Sequence, residues 1–125
     1  MIIRTLADVI GTPHDVDWTN GTSRRVLVAA DGRGFAVTET YVRPGTASKI
    51  SFANHFEACY CVEGSGRVET ADGAWEIVPG TLYAPDRDEP HVLSSEQGMR
   101  LVCVFNPPLR GDETHDPSGD EASGY

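Results

Sequence analysis

The chain has 125 residues, 39% hydrophobic and 23% charged, with 19 acidic against 10 basic side chains and a net charge of −9. That length builds one domain around a single core, and that charge argues against nucleic acid or an anionic membrane as partner, since both demand a basic face. No apolar run reaches membrane-spanning length, and the opening MIIRTLADVIG lacks the basic start and small-residue cleavage site of a signal peptide, so a cytoplasmic location is expected.

Thr5 is positioned to cap a short helix over TLADVIG that ends at Gly11. Beyond it the pattern is strand and turn. RRVLVAADGRG, GFAVTETYV, FEACYCVEG, GRVETADGAWEIV, GTLYAP, HVLSSE and MRLVCVFNPP read as strands with their turns. Asp31-Gly32 and Asp72-Gly73 are hairpin-turn pairs, and Gly64, Gly66, Gly80 and Gly98 break the remainder. Strands at this short spacing predict an antiparallel sandwich or barrel, with no internal repeat. From Pro107 the tail PPLRGDETHDPSGDEASGY loses periodicity and gains charge. It is too polar to be core, and about its last ten residues are expected to be mobile.

Cys59, Cys61 and Cys103 are an odd number and form no CxxC. Cys59 and Cys61, two apart on one strand, are poorly placed for a disulfide. All three lie in apolar surroundings and read as small buried hydrophobes in a reducing compartment, with metal ligation the minor alternative.

The stretch NHFEACYCVEGSGRVE, residues 54–69, carries the chemistry. In an extended chain His55, Glu57, Cys59 and Cys61 fall on one side and Phe56, Ala58, Tyr60 and Val62 on the other. Glu57 therefore shares a face with an imidazole and two thiols, which is either a solvated surface or the inside of a ligand-holding barrel. The spacing resembles that of the cupins, small antiparallel barrels with a metal at the centre. Glu57, six residues and Gly64 match their first motif, and Gly80, Pro85 and His91 follow the order of their second, with the turn DRDEP one residue longer than usual. Cupins usually have two more histidines just upstream of the glutamate, where this chain has residues of KISFA. Iron, manganese or zinc normally takes at least three protein ligands. Beside Glu57 and His91, the third is either His55 or Tyr83 of GTLYAP.

Over nearly its whole length the chain resembles the ectoine synthases. The segments that carry the likeness are MIIRTLADVIGT, TSRRVLV, ETYVRPGT, NHFEACYCVEGSGRVE, PGTLYAPDRDEPH and MRLVCVFNPPLRGDETHD. The resemblance implies an all-β, single-domain cupin barrel (an antiparallel sandwich or jelly roll) over residues 1–125 with a short N-terminal helix. It implies Fe(II), or another divalent metal, on Glu57, Tyr83 and His91. The implied reaction closes N-γ-acetyl-L-2,4-diaminobutyrate to L-ectoine and water. The family's pocket positions fall on Trp18, Thr40, His55, Phe105, Glu113 and His115. Arg24 and Arg25 match its SRR segment, and either could face the substrate. His55, Glu113 and His115 are the candidates for proton transfer, the tail from Pro107 is a candidate active-site lid, and a homodimer is implied. Phe52, Pro85 and Glu89 depart from the family's usual tyrosine, leucine and aspartate. The competing reading is a non-catalytic or sensory cupin that binds a small amino-acid derivative.

Overall fold

A helix this close to a chain end needs its own termination signals. Thr5 supplies one: its side chain accepts from the Asp8 amide while the Asp8 carboxylate accepts from the Thr5 amide, a reciprocal capping box around α1, Leu6–Val9. The computed structural model describes residues 1–114, and within them everything longer than a turn is strand. The strands are β1 Asp15–Asp17, β2 Gly21–Leu27, β3 Ala36–Val42, β4 Thr46–Ile50, β5 Phe56–Gly64, β6 Gly66–Thr70, β7 Gly73–Ile77, β8 Leu82–Tyr83, β9 His91–Ser95 and β10 Met99–Asn106. They form two sheets, ordered β1-β2-β3-β10-β5-β8 and β4-β9-β6-β7, with all pairings antiparallel.

The core lies between the sheets. Ile50, Val68, Ile77 and Leu93 from the smaller sheet meet Ala36, Val42, Cys59, Cys61, Leu101, Cys103 and Phe105 from the larger. The cysteines are buried free thiols, as their surroundings suggested. Gly64 sits where β5 bends away. Its φ is +79°, and a Cβ there would collide with the Gly98 carbonyl, so the first-motif glycine is required by both conformation and close approach.

Three features differ from the sequence reading. Asp31-Gly32 is no two-residue hairpin: Ala29–Asp31 forms a 3-10 turn ended by Gly32 at φ +71°, and the Asp31 carboxylate accepts from Val28 N and from Arg4. In the β6–β7 hairpin Thr70 pairs with Gly73, so Ala71 and Asp72 are the turn residues. β1 and β4 were not foreseen, because β1 is only Asp-Val-Asp and β4 buries Ser48 in place of an apolar residue. The Ser48 hydroxyl accepts from Asn20 Nδ2 at 2.7 Å, which lets a polar side chain occupy an inward position.

Candidate active site

On β5 the polar side is the inner one. His55, Glu57, Cys59 and Cys61 are buried, while Phe56, Tyr60 and Val62 lie on the outer face at 50%, 46% and 43% exposure. Strand register then assembles the site. β10 sets Phe105 opposite Glu57 and Cys103 opposite Cys59, β8 sets Tyr83 opposite Cys59, and β4 pairs Ile50 with His91 across the other sheet. A cavity open to solvent at its mouth lies between the sheets. Its wall includes Trp18, Thr40, Phe52, Glu57, Tyr83 and Phe105.

Burial governs the electrostatics. It pushes the Glu57 carboxyl up to about 7, with a hydrogen bond from Cys59 acting the other way. Burial likewise pushes the Tyr83 phenol well above its usual range, reinforced by the neighbouring Cys59, Glu57 and Cys103. His91 is held below the ordinary histidine value, chiefly by burial. Its Nδ1 lies 2.9 Å from the Glu89 carbonyl. A carbonyl only accepts, so that nitrogen carries the proton and Nε2 presents its lone pair. Nε2 is buried with no hydrogen-bond partner among the described residues. The His91 ring packs edge-on against Phe52 (centroids 6.1 Å apart) and Tyr83 (6.5 Å). An imidazole nitrogen oriented by a backbone carbonyl, without a partner among the described residues and next to the Tyr83 ring, is suited to hold a metal.

The remaining pocket residues sort by strand. Trp18 and Thr40 line the cavity together with Ser23, which sequence reasoning missed. His55 is buried and meets Phe105 edge-on at 6.2 Å. Phe52 is buried between His91 and Phe105. Its carbonyl accepts from Asp88 N, which ties this departure position to the loop carrying the other two, Pro85 and Glu89. Glu89 closes that loop, its carboxylate accepting from Asp86 N at 3.0 Å.

Alternation along β2 separates the two arginines. Arg24 faces outward, bonded to Asp15 at 3.1 Å and Glu39 at 3.4 Å. Arg25 is fully buried. Its Nε donates to Ser23 Oγ at 2.9 Å, and its two terminal nitrogens donate to the carbonyls of Gly111 (2.9 Å) and Glu113 (2.6 Å). The start of the tail is therefore packed, against the expectation from its polarity: Leu109 is fully buried and its carbonyl accepts from Ala29 N. The Glu113 carboxylate accepts from the amides of Arg110 and Gly111, both at 2.8 Å. Burial pulls that carboxyl upward, but the backbone amides of Gly111, Arg110 and Glu113, together with the Arg110 charge, outweigh it and hold it below its ordinary value. Gly111 has φ +120°, and a Cβ there would lie 2.6 Å from the His14 ring. His115 lies outside the described residues, as do the positions expected to be mobile.

Metal ligation by cysteines, the minor alternative from sequence, has a cluster of donors to support it. Carboxylate and thiol atoms of Glu57, Cys59 and Cys103 all lie within 4.8 Å of one another, and all three residues are buried. Alternation along β5 already put Cys59 beside Glu57, whereas Cys103 joins them only through the β10 register.

Two antiparallel sheets enclosing a carboxylate, phenol and imidazole define a cupin-type barrel. The fold superposes on a cupin domain of a transcriptional regulator from Enterobacter cloacae with a TM-score of 0.61, 13% identity, and coverage of 72% of this chain and 99% of that one. A family model described as ectoine synthase matches residues 1–123. An L-ectoine synthase of Halalkalibacterium halodurans is 48% identical over 121 residues, covering 95% of this chain and 94% of its own length. The crystal structure of an ectoine synthase from P. lautus superposes with a TM-score of 0.84 at 45% identity, covering 89% of this chain and 81% of that one. The chain belongs to the ectoine synthase family.

Proposed function

We propose that the chain closes N-γ-acetyl-L-2,4-diaminobutyrate to L-ectoine with loss of water, and that Glu57, Tyr83 and His91 hold the iron(II) this requires. The observation that carries the metal reading is the buried Nε2 of His91, which has no hydrogen-bond partner among the described residues. Ring closure joins the α-amine nitrogen to the acetamide carbon and expels the amide oxygen as water. When bound, the metal polarises that oxygen and so makes a poor electrophile reactive. The chain's own residues do the rest. Trp18, Thr40 and Phe105 wall the cavity and fold the substrate so that amine and carbonyl meet. His55, Glu113 and His115 are assigned the proton transfers, one accepting from the attacking amine and one delivering to the departing oxygen. Arg25 contributes by anchoring residues 111–113 beside Ser23 on the cavity wall, which helps keep bulk water from reversing the closure.

The product is a compatible solute, which assigns the protein to osmotic-stress response in the cytoplasm. No helix among the described residues is long and apolar enough to cross a membrane. A homodimer is part of the same reading. Phe56, Tyr60 and Val62 on β5, Leu82 on β8 and Val104 on β10 share the outer face of the larger sheet, each at least 41% exposed. A contiguous apolar face of this kind is suited to a second copy. The metal reading is tested by anaerobic purification. About one iron per chain is expected, lost in Glu57→Ala and His91→Ala while the barrel stays folded; full iron in both variants would overturn the ligand assignment.

A further inference from the structure

The cavity wall holds two thiols that the proposed reaction does not use. Cys59 on β5 and Cys103 on β10 are cross-strand partners. The Cys103 thiol donates to Cys59 Sγ across 3.2 Å, deep in the barrel. Glu57 stands one inward position before Cys59, and its carboxylate is within 4.8 Å of both sulfurs. The third cysteine, Cys61, is outside this group: its thiol is directed to the carbonyls of Glu63 and Gly64 at the end of β5.

We propose that Glu57, Cys59 and Cys103 form a second metal site, selective for thiophilic divalent ions such as Zn²⁺ or Cd²⁺ and distinct in donor chemistry from the set Glu57, Tyr83 and His91. Two thiolates and one carboxylate are a soft-leaning donor set of the kind that zinc and cadmium prefer, while carboxylate, phenolate and imidazole suit iron. Two sulfurs on one tetrahedral zinc stand about 3.8 Å apart, from zinc–sulfur bonds of roughly 2.3 Å. The pair here needs to open by only about half an ångström, within reach of small side-chain rotations. Binding is balanced by proton release: each thiol gives its proton to solvent as its sulfur takes up the ion, and no electron moves. Both donor sets draw on Glu57. An ion held by the thiols therefore excludes one held by Tyr83 and His91, which makes the pair a point of inhibition by soft metals. That exclusion rests on the iron reading above; the binding itself does not.

The test uses the full chain, freed of metal and kept reduced and anaerobic, titrated with Cd²⁺ while the thiolate-to-cadmium ultraviolet absorption is followed. At pH 8 or above the wild type is expected to take about one ion per chain with release of about two protons. Cys59→Ser and Cys103→Ser are each expected to weaken that uptake by at least about tenfold, while Cys61→Ser and His91→Ala leave it unchanged. Cys59→Val and Cys103→Val repeat the loss in an apolar form, with iron uptake and circular dichroism reporting that the barrel is intact. Absorption that survives in the Cys59 and Cys103 variants, or that disappears in His91→Ala, overturns the proposal and puts the soft ion elsewhere. If His91→Ala keeps both its cadmium and its iron, the thiol site stands and the iron assignment fails, so the two claims separate.

Discussion

Glu57 is a carboxyl held where water does not solvate it, and its burial sets up a conflict between stability and chemistry. In the metal-free protein its pKa is raised from 4.5 to about 7. Above pH 7 the folded state holds a buried anion, and the desolvation penalty is fully present. As pH falls through 7 the folded form takes up a proton and the penalty fades; below about 4.5 the unfolded chain is protonated too and no difference remains. Glu57→Gln is therefore expected to stabilise the metal-free protein by about 1–3 kcal/mol at pH 8, with the gain vanishing near pH 4, as read by urea denaturation at both values. A less stable Glu57→Gln at pH 8 would contradict this account. Alternation alone left the direction of Glu57 open, the resemblance to the ectoine synthases implied that it faces into the barrel, and it is buried there. Phe56, Tyr60 and Val62 offer an apolar face that a strand would ordinarily turn inward, and here it is the outer one. The physical cause is the pairing of β5 with β10 and β8, which closes the barrel on the polar side.

At the scale of elements, Arg25 joins β2 to the segment that follows β10. Its partners are separated from it by 86 and 88 positions in the chain, a distance over which no periodicity in the sequence operates. That is why the tail read as too polar for core and why Arg24 and Arg25 could not be told apart. β4 was illegible for a related reason, since its buried Ser48 relies on Asn20 from another loop. The long strands β3, β5 and β10 were legible from their own alternation, and the β6–β7 hairpin to within one residue of its turn, whereas Asp31-Gly32 ends a 3-10 turn. Replacing Arg25 with Ala leaves the carbonyls of Gly111 and Glu113 without this donor inside the protein, and a loss of about 2–4 kcal/mol is expected. Arg25→Lys is the more telling variant, because one ammonium cannot span Ser23 and both carbonyls as the guanidinium fork does. It is expected to retain iron, to lose turnover by at least about tenfold, and to be cut faster by protease within residues 108–114. Wild-type turnover and protection in Arg25→Lys would remove the anchor from the account.

For the whole molecule, the outer face of the larger sheet and the interior of the barrel make separable claims. If the apolar residues of β5, β8 and β10 meet a second copy, Tyr60→Glu places a charge in the middle of that contact, and light scattering should report a monomer where the wild type is a dimer. An unchanged mass would exclude this face as the interface. The family and the barrel were both legible from sequence, because the Glu57–Gly64 and Gly80–Pro85–His91 spacings and the run FNPPLRGDETHD survive without any knowledge of contacts. The donor cluster of Glu57, Cys59 and Cys103 was not, since it exists only once two strands are in register. The most direct measurement is product formation: anaerobic protein loaded with iron(II), N-γ-acetyl-L-2,4-diaminobutyrate as substrate, and ectoine followed by proton NMR. The wild type is expected to form ectoine, and His91→Ala to lose at least about 100-fold in rate. Substrate binding without ectoine, or an undiminished rate in His91→Ala, would contradict the proposed reaction.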